Sequence, residues 1–249
     1  MPEQFVLKGD TMQDDLSFRI PIPEEPKGKL ISAEEAEKMF LAKLKKCENE
    51  LENTLWNLAI LYSRTGRQEV AMNYITRLMA NTDDPEKKAH YFMNIGQMME
   101  QIHNYQAAIT FYRQAFSLEP VNSEAWYYIN NNLGYCLNHF SRYEEAESFC
   151  RAAIKIDPGR HNAYKNLGIS LEGQGQFTEA AKLYIKSVQA NAANPRALKQ
   201  LEELVARHDE VSTDIPDIQA QLEKCREAVG LAQRIQRGFE DRLNNRANE

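Results

Sequence analysis

The sequence predicts an all-α fold: a right-handed α-solenoid of four helical hairpins, preceded by a long N-terminal helix and followed by two C-terminal capping helices. Two observations predict it, and the first is a recurring three-residue signature whose last residue is followed twelve positions later by an alanine. Small residues at these two places let the helices of one hairpin approach closely, as in helical repeats of about 34 residues. The signatures and alanines are Asn57-Leu58-Ala59 with Ala71, Asn94-Ile95-Gly96 with Ala108, Asn132-Leu133-Gly134 with Ala146, and Asn166-Leu167-Gly168 with Ala180.

The second observation is a pattern shared by the second helices of the hairpins. The pattern Tyr105-x-x-Ala108-x-x-x-Tyr112-x-x-Ala115-x-x-x-x-Pro120 returns from Tyr143 to Pro158, and its first half returns from Phe177 to Ser187. Over about residues 52–194 the chain therefore resembles the tetratricopeptide repeat family, and the first copy departs most from the pattern. The resemblance implies a stack of hairpins with a concave groove that binds a segment of a partner protein.

The chain divides into segments of different character. Leu16 to Pro23 alternates apolar and other residues, yet its two prolines remove hydrogen-bond donors that an internal strand needs, which predicts an extended arm. Ser32 and Glu35 have the spacing of a capping box, which predicts the start of a long helix. The predicted segments are the extended N-terminal arm (1–31), a helical extension continuous with the first repeat (32–51), the four repeats (52–194) and the C-terminal capping helices (195–249).

The last predicted helix, from about Pro216 to Asn244, carries an apolar stripe. Gly230 and Gly238 each weaken its intrinsic helicity by about 1 kcal/mol, so its formation depends on packing. Either the last repeat of the same chain or the same helix of a second chain, in a homodimer, covers the stripe. The stripe consists of Ile218, Leu222, Cys225, Val229, Ala232, Ile235, Phe239 and Leu243.

Composition argues against several classes of partner. Thirty basic and thirty-six acidic side chains give a formal charge of −6, whereas phosphate binding needs a basic face, so nucleic acid is not the expected partner. No run of residues reaches the roughly 18 apolar positions of a membrane span, and the N-terminus lacks the pattern of a signal peptide. The expected location is therefore cytoplasmic.

No catalytic, cofactor or metal site is predicted. The five histidines fall at unrelated places in the repeats, and the four cysteines are scattered without the spacing of metal ligands. Cys150 stands where other repeats carry Tyr112 and Tyr184, which predicts a buried thiol. Gly175, like Gly66, follows the small signature residue by seven positions, which predicts a turn glycine with a special backbone angle rather than a phosphate loop. The chain is accordingly not expected to be an enzyme.

The asparagines of the four signatures suggest a binding surface. Asn57, Asn94, Asn132 and Asn166 occupy the same place in each repeat, so a regular superhelix would bring them into one line. In members of the resembled family, asparagines at this place form a ladder on the concave face that holds a bound peptide backbone, and an amide offers both a donor and an acceptor for that task. The alternative is that these amides form bonds between neighbouring helices.

The neighbours of these asparagines on the helix surface complete the predicted groove, because residues three or four apart share a face. The groove has little charge, and with Lys165 as its single cation it departs from family members that clamp acidic chaperone tails. The chain is expected to bind an extended or helical segment of a partner protein, and the alternative is a structural oligomeriser that assembles through its last helix. The neighbours are Asn53, Trp56 and Ile60; His90, Met93 and Gln97; Tyr128, Asn131 and Tyr135; and Asn162, Lys165 and Ile169.

Overall fold

The structure is a computed structural model that describes residues 17–22 and 25–247, with side chains described from Ser32 onward except at 33, 36, 241 and 243–247. The chain forms two compact units, Met1–Leu78 and Met79–Glu249. Residues 1–16 of the predicted arm lie outside the described residues.

The first unit begins with a two-stranded antiparallel sheet, which the sequence did not predict. Strand β1, Ser17–Ile22, pairs with strand β2, Glu25–Ser32. The segment is extended, as expected, but its prolines do not keep it from pairing. Pro21 falls at the irregularity in register between Ile20 and Ile22, where the ladder does not need its missing N–H.

Helix α1, Ala33–Arg64, confirms the predicted long helix. The Ser32 hydroxyl accepts a hydrogen bond from the Glu35 N–H, and the Glu35 carboxylate accepts one from the Ser32 N–H, so the capping box is complete. At 1.5 Å per residue the helix is about 48 Å long. Helix α2, Gln68–Ala80, folds back on it: the rings of Tyr62 and Tyr74 stack with their centroids 5.7 Å apart.

The second unit contains three complete hairpins, in which each helix packs against the next. The first helices of the hairpins, α3, α5 and α7, also pack side by side. Asp84 caps the start of α3, and Pro85 is its first residue, where a missing N–H costs no hydrogen bond. The helices are α3 (Pro85–Gln101), α4 (Tyr105–Ser117), α5 (Ser123–Asn138), α6 (Tyr143–Ile156), α7 (His161–Gly173) and α8 (Phe177–Ala190).

Close contact at the small signature residues holds each hairpin together. A Cβ atom added to Gly96 would lie 2.6 Å from the Tyr112 ring, and one added to Gly168 would lie 2.5 Å from the Tyr184 ring. In the hairpin between them, Gly134 faces Cys150, which is fully buried as predicted. The partner alanines Ala71, Ala108, Ala146 and Ala180 are all 0% exposed.

All four hairpin turns share one backbone conformation. Gly66 and Gly175 have φ of +77°, so the expectation of a turn glycine with a special backbone angle is confirmed at both. The equivalent residues in the other two turns are His103, with φ of 59°, and Ser141, with φ of 55°. The turn geometry is therefore a property of the repeat, and it is imposed on residues that do not favour it.

Three helices follow the last repeat: α9 (Arg196–Arg207), α10 (Asp209–Asp214) and α11 (Ile218–Ala247). The sequence predicted α9 and α11; the short α10 was missed, although Val211 anchors it with 0% exposure. Helix α11 contacts α8 and α9, so the last repeat of the same chain covers the first half of the stripe. The buried residues of that half are Ile218, Leu222, Cys225 and Val229.

Candidate functional site

The predicted groove residues of the second unit lie on α3, α5 and α7 in stripes of four, each made of a signature asparagine and its three neighbours. The stripes of α5 and α7 are adjacent, because the ammonium group of Lys165 lies 5.7 Å from the centroid of the Tyr135 ring. The residues predicted from the first repeat, Asn53, Asn57, Trp56 and Ile60, lie on α1 in the other unit, and their role in binding stays a prediction.

A chain of buried amides connects α7 to α5. Asn166 Nδ2 donates to Asn131 Oδ1 at 3.1 Å, and Asn131 Nδ2 donates to Asn132 Oδ1 at 2.9 Å. All three residues are buried, and Asn166 is only 2% exposed. Because buried amides are costly unless they are hydrogen-bonded, these bonds stabilise one particular alignment of the two helices.

The same chain continues from α5 to the first hairpin of the unit. Asn132 Nδ2 donates to the Tyr112 hydroxyl on α4 at 3.1 Å, and that hydroxyl donates to Glu100 Oε1 on α3. Cys136 Sγ lies 3.6 Å from the same carboxylate oxygen. Burial raises the pKa of Glu100, and the hydrogen bonds from Tyr112 and Cys136 offset part of that increase. The Tyr112 hydroxyl thus has both a donor and an acceptor partner, in two different helices.

A second set of bonds links the C-terminal end of α5 to α7. Asn138 Nδ2 donates to the backbone oxygen of Asn166 at 2.8 Å, and the Ser170 hydroxyl donates to Asn138 Oδ1 at 2.9 Å. Ser170 is 0% exposed. The α5–α7 contact is therefore polar as well as apolar, and the sequence did not single out Asn138 or Ser170.

These bonds bear on the predicted asparagine ladder. Asn132 and Asn166 are not exposed amides lining a groove, because their side chains join helices, as in the alternative stated from the sequence. Asn94 is half-buried, and its amide donates to the backbone oxygen of His90 one turn earlier, at 2.7 Å. Asn57 is exposed. Residues at one repeat position thus have three different environments.

Lys165 is the buried cation of this surface. It is 8% exposed and lies over the Tyr135 ring. Burial lowers its pKa, and the nearby charge of Arg196 lowers it further. A cation held over an aromatic face in a poorly hydrated position interacts strongly with an added anion.

Several predicted groove side chains remain accessible. Gln97 on α3, Tyr128 and Tyr135 on α5, and Ile169 on α7 are half-buried. Asn162, one turn before Asn166 on α7, is half-buried as well, and His90 on α3 is exposed, whereas Met93 is buried. Together the accessible side chains offer amide, aromatic and aliphatic surface across three neighbouring helices.

An aromatic cluster at the end of α5 was missed by the sequence reasoning. The Tyr105 ring stacks on His139 with centroids 3.9 Å apart, and the edge of Tyr135 meets the His139 ring at 4.8 Å. His103 Nδ1 lies 3.0 Å from the Tyr105 hydroxyl. Tyr105 was noticed only as part of the repeat pattern, and no spacing in the sequence connects it with the two histidines.

The described side chains hold no group of three or more His, Cys, Asp or Glu placed to bind a metal ion. Of the helices described, none is both long and apolar enough to cross a membrane.

Comparisons with known proteins agree with the repeat pattern. Residues 100–161 match the family model of the tetratricopeptide repeat. A search of curated protein sequences found no match. Several solved structures share the fold at low sequence identity, so the likeness concerns the fold alone. MamA residues 41 to end from Desulfovibrio magneticus RS-1 is 21% identical with a TM-score of 0.58, over 74% of this chain and 97% of that one.

Two further MamA structures are similar to the same degree. A MamA RS-1 double mutant is 20% identical, with a TM-score of 0.57, and the match covers 72% of this chain and 96% of that chain. Another MamA crystal structure is 16% identical, with a TM-score of 0.57, over 72% of this chain and 93% of that chain. Residues 100–161 therefore carry a tetratricopeptide repeat, and the solved structures share the fold over about three quarters of the chain.

Proposed function

We propose that the protein is a non-enzymatic scaffold that binds an extended or helical segment of a partner protein across α3, α5 and α7. The observation that carries the proposal is the row of accessible side chains on these three helices, which include Gln97, Tyr128, Tyr135 and Ile169. They lie on helices that pack against one another, so a single peptide can contact all three.

The chemistry of the row suggests how a segment is held. Gln97 and Asn162 carry amides, which match the donors and acceptors of a peptide backbone. Tyr128 and Tyr135 offer aromatic surface that suits apolar side chains at low entropic cost. Lys165 adds a cation for an acidic side chain or terminus of the segment. The buried amides of Asn132 and Asn166 act in this proposal by aligning the helices.

Paired charge substitutions test the groove. In the first variant, Gln97→Arg with Ile169→Arg places two cations on the proposed surface; in the matched control, Gln106→Arg with Gln114→Arg adds the same charge to exposed positions of α4. Wild type and both variants, immobilised, are exposed to an extract of the native cell. A protein retained by wild type and control but not by the groove variant supports the proposal, and calorimetry with peptides of that protein then maps the segment. Identical sets of retained proteins on all three forms would refute it.

A second candidate function, homodimerisation through α11, has an observation of its own. Beyond its buried first half, α11 exposes Leu231, Ile235 and Phe239 by 53%, 52% and 59%. Ile235→Glu should then convert a dimer to a monomer, while Gln233→Glu on another face of the helix should not. Mass measurement in solution decides the matter, and a monomeric wild-type protein at high concentration would eliminate this candidate.

A cytoplasmic location belongs to the same proposal. All four cysteines are free thiols, three of them buried, which suits a reducing compartment. Fractionation of the native cell with an antibody against the protein would test the location.

A further inference from the structure

Lys165 is a cation in a nearly closed position that has no anionic partner. It is 8% exposed, and its ammonium lies 5.7 Å from the centroid of the Tyr135 ring. Among the described side chains none forms a hydrogen bond or an ion pair with this ammonium, which itself keeps contact with solvent. Because a buried charge is costly unless it is paired, such a position is suited to receive an anion from outside the chain.

The ionisable groups around Lys165 do not compensate its charge. The charge of Glu100 acts on Lys165, but this carboxylate already accepts a hydrogen bond from Tyr112, and burial raises its pKa. Burial lowers the pKa of His139 and His161, and the positive charge of Lys165 lowers both further. Both imidazoles are therefore uncharged at neutral pH, and the ammonium keeps its full charge.

Helix α9 runs alongside α7 in the same direction, because contacts join the two helices at both ends. At their starts, the amide nitrogen of Asn194 lies 3.1 Å from Nε2 of His161. At their other ends, Arg207 Nη2 donates to Glu172 Oε1 at 2.7 Å. The start of α9 is therefore fixed next to the first turns of α7.

This arrangement places a second cation, Arg196, near Lys165. Asn194 Oδ1 accepts a hydrogen bond from the Arg196 N–H at 3.1 Å, so Arg196 follows directly on the contact with His161. Lys165 lies one turn after His161 on the same face of α7. The Arg196 side chain is exposed, and within the described part of the chain its guanidinium has no ion pair. Two cations on neighbouring helices thus share one region without a carboxylate between them.

We propose that an acidic side chain within the bound segment docks between Lys165 and Arg196. This inference rests on the proposed function, to which it adds α9 and the chemistry of one residue of the partner: an Asp or Glu next to an apolar residue that contacts Tyr135. One negative charge balances the one buried cation. The exposed Arg196 then adds a longer, adaptable donor for the same carboxylate.

A side-chain carboxylate fits this place better than the carboxyl terminus of the segment, because the accessible face continues past α7. Arg196 and Gln200 on α9 stand 34 residues after Asn162 and Asn166 on α7, at the same interval as the last repeats. Gln200 is half-buried, like Asn162. A segment that crosses α5 and α7 therefore has further surface ahead of it on α9, and it passes Lys165 rather than ending there.

Selection from a random peptide library tests the inference. Twelve-residue peptides, displayed on phage with their C-termini fused, are selected on full-length wild type, on Lys165→Met, and on the matched control Lys186→Met, which removes an exposed lysine of α8. Wild type and control should enrich Asp or Glu at a fixed distance from an apolar residue, and Lys165→Met should not. Methionine retains the contact with Tyr135, and since an unpaired buried charge is removed, the melting temperature should not fall.

Calorimetry with a selected peptide then measures the contact itself. Replacing its Glu by Gln, or its Asp by Asn, should weaken binding to wild type by about tenfold or more. The same replacement should change binding to Lys165→Met by less than about threefold, because the buried cation is already gone. Arg196→Gln, at an exposed position, should weaken binding of the acidic peptide and leave that of the amide peptide nearly unchanged.

The possible failures are distinguishable. Peptides that are selected without an acidic residue, or with one that Lys165→Met enriches equally, would overturn the inference and leave the proposed function in place. Acid-dependent binding found only in a second library, displayed with free C-termini, would show that a chain terminus occupies the site and would overturn the inference as stated. The absence of any selected peptide would overturn both the inference and the proposed function on which it rests.

Discussion

Replacing Asn166 by alanine tests whether this side chain stabilises the contact between helices or is available to bind a ligand. Asn166 is 2% exposed, and its Nδ2 donates to Asn131 Oδ1 at 3.1 Å and to the Asn131 backbone oxygen at 3.5 Å. Its own Oδ1 is buried and has no hydrogen-bond partner within the described part of the chain. Asn166→Ala therefore removes both a bonded donor and an unbonded acceptor.

The size of the effect follows from these two groups. Losing the hydrogen bond leaves Asn131 Oδ1 buried without a donor, which costs about 1–3 kcal/mol. Removing the unpaired Oδ1 of Asn166 relieves a penalty of about 1 kcal/mol of the same kind. The free energy of unfolding should therefore fall by up to about 2 kcal/mol, a factor of up to roughly 30 in the ratio of folded to unfolded protein.

Urea unfolding measures this difference, and Asn162→Ala is the matched control. Asn162 lies on the same helix and is half-buried, so its replacement should change the free energy of unfolding by no more than about 0.5 kcal/mol. Comparing the two variants reduces the influence of helix propensity, which changes in the same direction in both. Equal effects of the two substitutions would show that Asn166 does not stabilise the contact between α5 and α7.

Three further predictions concern the packing of the repeats. Gly96→Ala should lower the free energy of unfolding by about 1–2 kcal/mol, because the new Cβ would lie 2.6 Å from the Tyr112 ring. Gly230→Ala should instead raise it by up to about 1 kcal/mol, because the new Cβ would meet only the Arg234 side chain, at an ordinary contact distance of 3.7 Å; thermal unfolding compares the two variants. Burial raises the pKa of Glu100, so the folded state favours the protonated carboxyl. As the pH rises above 4.5, the free energy of unfolding of the wild-type protein should therefore fall relative to that of Glu100→Gln. Urea unfolding of both proteins across that range measures this difference, and a difference that does not change with pH would contradict the prediction. Deleting residues 212–249 should expose the apolar surface of α8 and α9 and cause aggregation, and a truncated protein that stays monomeric by light scattering would contradict the role of α11 as a cap.

Repetition made the helices of this chain predictable, because four copies in phase outweigh the ambiguity of any one. The positive φ was predicted where the turn residue is Gly66 or Gly175, but nothing local marks it at His103 or Ser141, where the rest of the hairpin imposes it. The sheet that includes Ser17–Ile22 was missed because two prolines in this stretch argue against a strand. Pro21 is tolerated because it lies at the irregularity in register between Ile20 and Ile22, which the sequence does not reveal.

The burial and the hydrogen-bond partners of the signature asparagines could not be predicted from their position in the repeat alone. Asn132 is buried because a hydroxyl from another hairpin, that of Tyr112, lies within reach. Asn166 is buried because the neighbouring repeat carries a second asparagine, Asn131, just before its own signature residue. Asn94 has instead a bond to its own helix. Burial of a polar side chain depends on a partner distant in sequence, which a repeat pattern does not identify.

One hairpin differs from its neighbours in a way that connects these observations. In the second and fourth repeats a glutamate accepts a hydrogen bond from a tyrosine twelve residues later, Glu100 from Tyr112 and Glu172 from Tyr184. In the third repeat the equivalent residues are Asn138 and Cys150, and the pair within the hairpin is lost. Asn138 bonds to α7 instead, at the Asn166 backbone oxygen and the Ser170 hydroxyl. The exchange replaces a bond inside one hairpin by bonds between two, so the α5–α7 contact gains polar links that fix the alignment of the two helices.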